Sequence, residues 1–196
     1  RLLVAQLRSE GAKAIICTPH YIPNTASVSP KETNEALLFD LKQTEQARTK
    51  LYLGNELYID VDLDVFLKKQ QISSLAGSKY LLIELPMSGK FDDYEDILNY
   101  LNRKYRVILA HPERYRYMNE AAYERLHKMG IHFQLNLGSI VGNYGETAMN
   151  KAYNMLEKGW YSEVGSDCHR LATIKEQYIR EVLPKELLPH LSFMTK

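Results

Sequence analysis

Residues 106–115 read Arg106-Val-Ile-Leu-Ala110 and then His111-Pro-Glu-Arg-Tyr115. An apolar run of this length, β-branched at its centre and broken by proline, suits a strand buried on both faces. It ends on a histidine, a residue able to ligate metal or move protons at neutral pH. The same punctuation recurs outward in both directions. Ala12-Lys-Ala-Ile-Ile-Cys-Thr18 runs into Pro19-His20, and Leu51-Tyr-Leu53 into Gly54-Asn-Glu56-Leu-Tyr58. Tyr80-Leu-Leu-Ile83 runs into Glu84, His132-Phe-Gln-Leu-Asn136 into Leu137-Gly-Ser139, and Trp160 to Val164 into Gly165-Ser-Asp167-Cys-His169.

Between these runs the periodicity changes to that of helices. The spacing of Tyr94, Ile97, Leu98 and Leu101 predicts a helix over 92–104 with an acidic start. Helices are also predicted over 119–129, closed by Gly130, and over 148–158, closed by Gly159. Ser29-Pro30 is a helix start ahead of a Leu37, Leu38, Leu41, Ala47 stripe, and the tail from Leu171 to Lys196 reads as mostly helical. Arg1 to Glu10 reads as the later part of an amphipathic helix stopped by Gly11. Strand–helix alternation of this kind predicts an α/β fold with a parallel sheet and external helices, either a barrel or an open doubly wound sheet. No linker or fixed repeat interrupts it, so 1–196 is expected to be a single domain.

Composition narrows the function. The chain has 196 residues, of which 45% are hydrophobic and 25% charged, the profile of a globular domain. Lys and Arg number 25 against 24 Asp and Glu, a net charge of +1. That balance supplies no electrostatic drive toward nucleic acid or an anionic membrane. No apolar run reaches the roughly 20 residues of a membrane span. The two cysteines, Cys17 and Cys168, fit a reducing compartment, and a cytoplasmic location is expected.

The polar residues after the apolar runs carry the chemistry. In parallel α/β folds the C-terminal strand ends share one face, and active sites sit there. His20, Glu56, Glu84, His111, Asp167 and His169 are the candidates for that face. A mixed set of imidazoles and carboxylates suits Mn, Zn or Fe better than Mg or Ca. A metal cluster can activate water and polarise a phosphoryl oxygen. Taken singly, each residue has a plainer role: a strand-end histidine is more often a satisfied structural group, and Glu56 or Glu84 could cap a helix or form an ion pair. Asp167 and His169, alternating along an extended segment, would point the same way, with Cys168 pointing oppositely into the core. His127 and His190 read as surface residues and His132 as structural. Arg114 could grip phosphate with its fork of donors or form a surface salt bridge. There is no G-x-x-x-x-G-K, G-x-G-x-x-G or G-x-S-x-G motif, and no cysteine-and-arginine phosphatase loop.

At these residues the chain resembles the polymerase and histidinol phosphatase (PHP) superfamily. Within it the likeness is to the metal-dependent protein-tyrosine phosphatases of bacterial capsule and exopolysaccharide operons. Thr18-Pro-His20, Gly54-Asn-Glu56-Leu-Tyr58, Leu82-Ile-Glu84, Leu109-Ala-His111-Pro-Glu-Arg114-Tyr115 and Gly165-Ser-Asp167-Cys-His169 carry it, in the family's order. The resemblance implies a distorted (β/α)7 PHP barrel with up to three metal ions, often manganese. It implies His20, Glu56, Glu84, His111, Asp167 and His169 as ligands, and Arg114 as the phosphate-binding residue, with His111 and His169 also serving catalysis. It implies a phosphotyrosyl protein as substrate, commonly a bacterial tyrosine autokinase. A small-molecule phosphatase resembling histidinol-phosphate phosphatase, or a barrel serving only as a binding or regulatory module, are the alternatives. The family opens with a strand carrying His-x-His and an acidic ligand; the first histidine here is His20. The resemblance therefore implies a chain that begins inside the first helix, without its first strand, and with impaired activity.

Overall fold

A computed structural model of the chain describes residues 2–9, 12–22, 31–44, 49–59, 72–87 and 92–169. The helix start at Ser29-Pro30, His190 and the helical tail lie outside the described residues. The chain folds as two compact units, Arg1–Pro86 with Phe91–Ile108, and Met87–Lys90 with Leu109–Lys196.

The first unit is α/β and its strands pair in parallel. It contains strands β1 (Ala14–Cys17), β2 (His20–Tyr21), β3 (Lys50–Leu53), β4 (Glu56–Tyr58) and β5 (Tyr80–Glu84). Each of the first two strands expected from sequence is followed at once by a further short strand. β1 pairs with β3, from Ala14 opposite Lys50 to Cys17 opposite Leu53. The continuations pair separately: His20 of β2 lies opposite Glu56 of β4, and Tyr58 opposite Glu84 of β5. Pro19 is the physical cause in the first strand, because it has no N–H to donate to a ladder. The second strand bends at Gly54 and Asn55, and the two bends are stitched together. Gly54 N–H donates to Cys17 O (2.9 Å), Glu56 N–H to Pro19 O (3.2 Å), and the Asn55 amide to Pro19 O (3.2 Å). His20 and Glu56 thus open short strands of their own; they do not trail the preceding ones.

Gly54 is required where it stands. A Cβ there would lie 2.6 Å from Leu75 Cδ2 and 3.2 Å from its Cα. β5 is buried through its middle, with Ile83 fully enclosed, as expected of a strand covered on both faces. The helix Tyr94–Asn102 turns Leu98 and Leu101 inward. The helix Leu2–Ser9 matches the amphipathic segment at the start of the chain, and helix Lys31–Thr44 carries Leu37, Leu38 and Leu41 of the expected stripe, Ala47 lying outside the described residues. Leu37 itself is exposed.

β6 (Arg106–Ala110) begins in the first unit and ends in the second. The second unit pairs β7 (His132–Asn136) in parallel with β8 (Tyr161–Gly165), with a register shift between Phe133 and Gln134. On β7 Phe133 and Leu135 are buried on one face, leaving His132, Gln134 and Asn136 on the other. Phe133 meets Tyr123 edge to face, with ring centroids 6.2 Å apart. Tyr123 belongs to the helix Glu120–Lys128, whose Asn119 cap accepts from Ala122 N–H (3.0 Å). The helix Glu146–Glu157 buries Ala148, Ala152 and Met155. No helix among the described residues is long and apolar enough to cross a membrane.

Candidate functional site

In the first unit the register brings three of the candidate residues together. His20 Nδ1 lies 3.4 Å from Glu56 Oε2 and 3.7 Å from Glu84 Oε2. One donor atom from each residue falls within 4.8 Å of the others. The pairing of β2, β4 and β5 produces this cluster: His20 and Glu56 face one another in one ladder, and Glu84 closes β5 opposite Tyr58. The Glu56 and Glu84 side chains are only 7% and 13% exposed. Two carboxylates withdrawn from water at such a distance repel one another and lose hydration. A divalent cation answers both costs, and one imidazole with two carboxylates is a donor set suited to a transition metal. The residues present therefore fit a metal.

The second unit gathers Arg114, Asp167 and His169. Arg114 Nη1 donates to Asp167 Oδ2 at 3.0 Å, with the two side chains 22% and 11% exposed. The salt bridge considered for Arg114 is thus present, and its partner is another candidate site residue. The Arg114 guanidinium also lies over the ring of Tyr144, 4.1 Å from its centroid. His169 Nδ1 is 3.4 Å from the other carboxylate oxygen, Asp167 Oδ1. Asp167 has φ +45°, so the segment is not extended as the alternation argument required. The two side chains meet through a left-handed turn instead, with His169 Nδ1 also 3.0 Å from Asp167 O.

His111 is buried, has φ +35°, and heads the 3-10 turn Pro112–Arg114 that carries Arg114. Its N–H donates to Gln134 O of β7 (3.0 Å), and its carbonyl accepts from Arg114 N–H (3.0 Å). Tyr123 donates to Pro112 O at 2.9 Å, and Lys151 Nζ donates to Tyr115 O and Met118 O at 2.7 and 2.8 Å. The turn is therefore fixed from several sides. Burial pulls the Lys151 ammonium below its usual range.

Sequence reasoning passed over Glu113, Asn136 and Tyr144. Glu113 is 1% exposed and accepts from Asn136 N–H (3.0 Å) and Tyr161 O–H (2.9 Å). Burial pushes its carboxyl upward, against the hydrogen bond from Asn136 N–H. Asn136 ends its strand on a polar side chain, the signal used for the other candidates. Tyr144 gave no local signal among 14 tyrosines.

The remaining residues agree with their plainer readings. His127 is exposed against Trp160 and Phe133. His132 Nδ1 is 3.1 Å from Ser162 Oγ and 3.7 Å from Glu163 Oε1. Cys17 lies in β1, where burial pushes its thiol up and away from the reactive thiolate.

A family profile described as "Capsular polysaccharide synthesis, CpsB/CapC" matches residues 1–181. The chain is 29% identical over 192 residues to the tyrosine-protein phosphatase YwqE of Bacillus subtilis, covering 94% of this chain and 76% of that protein. It is 28% identical over 180 residues to the putative tyrosine-protein phosphatase CapC of Staphylococcus aureus, covering 86% and 68%. A solved structure described as YwqE from Bacillus subtilis and CpsB from Streptococcus pneumoniae, "unique metal-dependent tyrosine phosphatases", superposes with a TM-score of 0.74. That match has 28% identity over 87% of this chain and 70% of the other.

Proposed function

Because the chain belongs to the CpsB/CapC family of capsular polysaccharide synthesis, we propose that it is a metal-dependent protein-tyrosine phosphatase. Its substrate in this reading is a phosphotyrosyl protein, a tyrosine kinase of capsule or exopolysaccharide biosynthesis, met in the cytoplasm. The observation that carries the metal half of the reading is the convergence of His20, Glu56 and Glu84 within 4.8 Å. These three hold divalent cations, manganese first among them, and His111, Asp167 and His169 are proposed as the remaining ligands. The barrel of the PHP superfamily, formed as one domain, belongs to this proposal; the parallel β/α pairing supports it.

A bound divalent cation supplies Lewis acidity at the phosphoryl oxygens and a nucleophile drawn from water. Arg114 binds and orients the phosphate. Its fork of donors matches two phosphate oxygens, and the Tyr144 ring holds the guanidinium plane in place. The half-buried Cys17 thiol, pushed up in pKa, is a poor candidate for a covalent route.

The test uses the chain with a phosphotyrosyl peptide and, in parallel, small phosphomonoesters. EDTA should abolish turnover, Mn2+ should restore it, and iodoacetamide should leave it unchanged. Glu56→Gln should weaken Mn2+ binding at least tenfold. Turnover that survives EDTA and dies with iodoacetamide sinks the proposal. Preference for a small phosphomonoester over the peptide overturns the protein-substrate part alone.

A further inference from the structure

Asp167 Oδ2 is held from three sides. It accepts from Arg114 Nη1 at 3.0 Å, Asn136 Nδ2 at 2.9 Å and Tyr144 O–H at 3.4 Å. The Asn136 amide has no freedom to present its other face. Its Oδ1 caps the helix Leu137–Ile140 by accepting from Gly138 N–H at 2.8 Å, so Nδ2 must point at Asp167. The backbone of Asn136 is fixed in turn, because its N–H donates to the buried Glu113 carboxylate at 3.0 Å. Glu113 is bonded in sequence to Arg114, which returns to Asp167. The contacts close a ring: Glu113, Asn136, Asp167, Arg114. Asp167 itself sits at φ +45°, a conformation a non-glycine residue holds only when its surroundings impose it.

We infer that Asn136 is a positioning residue that fixes the Asp167 carboxylate, holding Oδ2 by its amide and leaving Oδ1 on the His169 side for a divalent cation. The inference rests on the reading of Asp167 as a metal ligand. An aspartate free to rotate would lose rotamer entropy on binding a cation; one already held does not. Groups that orient metal ligands in this way commonly contribute roughly 10–100-fold to metal affinity.

Asn136→Ser separates positioning from folding. Serine caps a helix about as well as asparagine, so the bond from Gly138 N–H is kept. Its side chain is too short to reach Asp167. In the metal-free chain the melting temperatures of Asn136→Ser, Asp167→Asn and the double variant should be non-additive, the double losing less than the sum. In calorimetric titration with Mn2+ alone, Asn136→Ser should bind roughly tenfold more weakly than wild type. Asn136→Ala, which loses the cap as well, should show the same affinity loss with a larger fall in melting temperature. Additive melting temperatures overturn the inference, and so does Mn2+ affinity in Asn136→Ser within twofold of wild type. A wild-type chain that neither binds Mn2+ nor hydrolyses phosphotyrosine overturns the functional reading and the metal-positioning role with it. Retained wild-type binding with an unaffected Asn136→Ser variant overturns this inference alone.

Discussion

Replacing Glu163 by glutamine should make the protein more stable at alkaline pH and leave it nearly unchanged in mild acid. Glu163 lies on β8 with its side chain 14% exposed. Burial raises its carboxyl from 4.5 to about 7, and the hydrogen bond from Ser162 only partly opposes this. Below about pH 4.5 the group is protonated both folded and unfolded. Between 4.5 and 7 the folded chain holds a proton that the unfolded chain has released, so stability falls as pH rises through this window. Above 7 the loss is complete and constant. A separation of about 2.5 units at 1.36 kcal/mol each sets a ceiling of about 3 kcal/mol. For a chain of this size that corresponds to about 6–12 °C in melting temperature. Glutamine has nearly the same shape, accepts from Ser162 through its amide oxygen, and does not ionise. Melting curves of metal-free wild type and Glu163→Gln, taken from pH 4.5 to 8.5, share every other titrating group, so their difference isolates this one. The difference should be near zero at pH 4.5, climb toward neutrality and level off above it. His132 Nδ1 lies 3.7 Å from Glu163 Oε1, and a charged imidazole there would favour the carboxylate; the gap at pH 6 should therefore stay well below that at pH 8. A difference that is flat across the range refutes the assignment of Glu163 as a carboxylate whose ionised form is penalised by burial.

Three further outcomes follow from the geometry. Gly54→Ala drives a Cβ to 2.6 Å from the Leu75 side chain and 3.2 Å from its Cα, so urea unfolding should show a loss of about 1–3 kcal/mol; an unchanged midpoint would show that the bend has room to spare. Lys151→Met leaves the carbonyls of Tyr115 and Met118 without their ammonium, at a cost of about 2–4 kcal/mol, and hydrogen exchange should quicken around residues 112–118. Arg114→Lys keeps the charge but loses the forked donors and the flat stacking on Tyr144, so KM for a phosphotyrosyl peptide should rise about tenfold, or about 1.4 kcal/mol, with kcat changed less; an unchanged KM would remove Arg114 from phosphate binding.

The parts of this arrangement visible in the sequence are those encoded by neighbours in the chain. The apolar run Arg106–Ala110 and the His111-Pro-Glu-Arg114 turn are local patterns, and both form where the residues indicate. Asn119, Gly130 and Gly159 mark helix ends by their own chemistry; both glycines take positive φ. What periodicity does not carry is the identity of a strand's partner. Leu51–Leu53 reads as a strand because its residues are apolar and β-prone, and Gly54 to Tyr58 as the segment that follows it. That Glu56–Tyr58 is a strand as well follows from its pairing with β2 and β5, while Lys50–Leu53 pairs with β1. Glu113 illustrates the same limit for a side chain. Nothing local in the sequence marks it, yet Tyr161, 48 positions away, donates to it inside the core. Asn136 was legible by its place at a strand end, but its partner Asp167 is 31 residues on, and only the fold joins them.

The backbone places two of the candidate residues, His111 and Asp167, in a conformation that non-glycine residues rarely adopt. Among the described residues, three non-glycine positions have positive φ: Ala76, His111 and Asp167. Such a conformation costs an L-residue on the order of 1–2 kcal/mol relative to glycine. Glycine occupies other left-handed turns, as at Gly130, Gly142, Gly145 and Gly159. After β6 and β8 the chain keeps an imidazole and a carboxylate instead. The surroundings hold each strained residue in place: His111 by bonds to Gln134 and Arg114, and Asp167 by Arg114, Asn136 and Tyr144. Two strained residues, His111 directly after β6 and Asp167 two residues after β8, are each secured by several donors or acceptors at a conformational cost that glycine would remove. Ala76 carries a like cost in a turn with no proposed chemistry, so the strain itself assigns no role; at His111 and Asp167 it accords with the proposed need for the imidazole and the carboxylate.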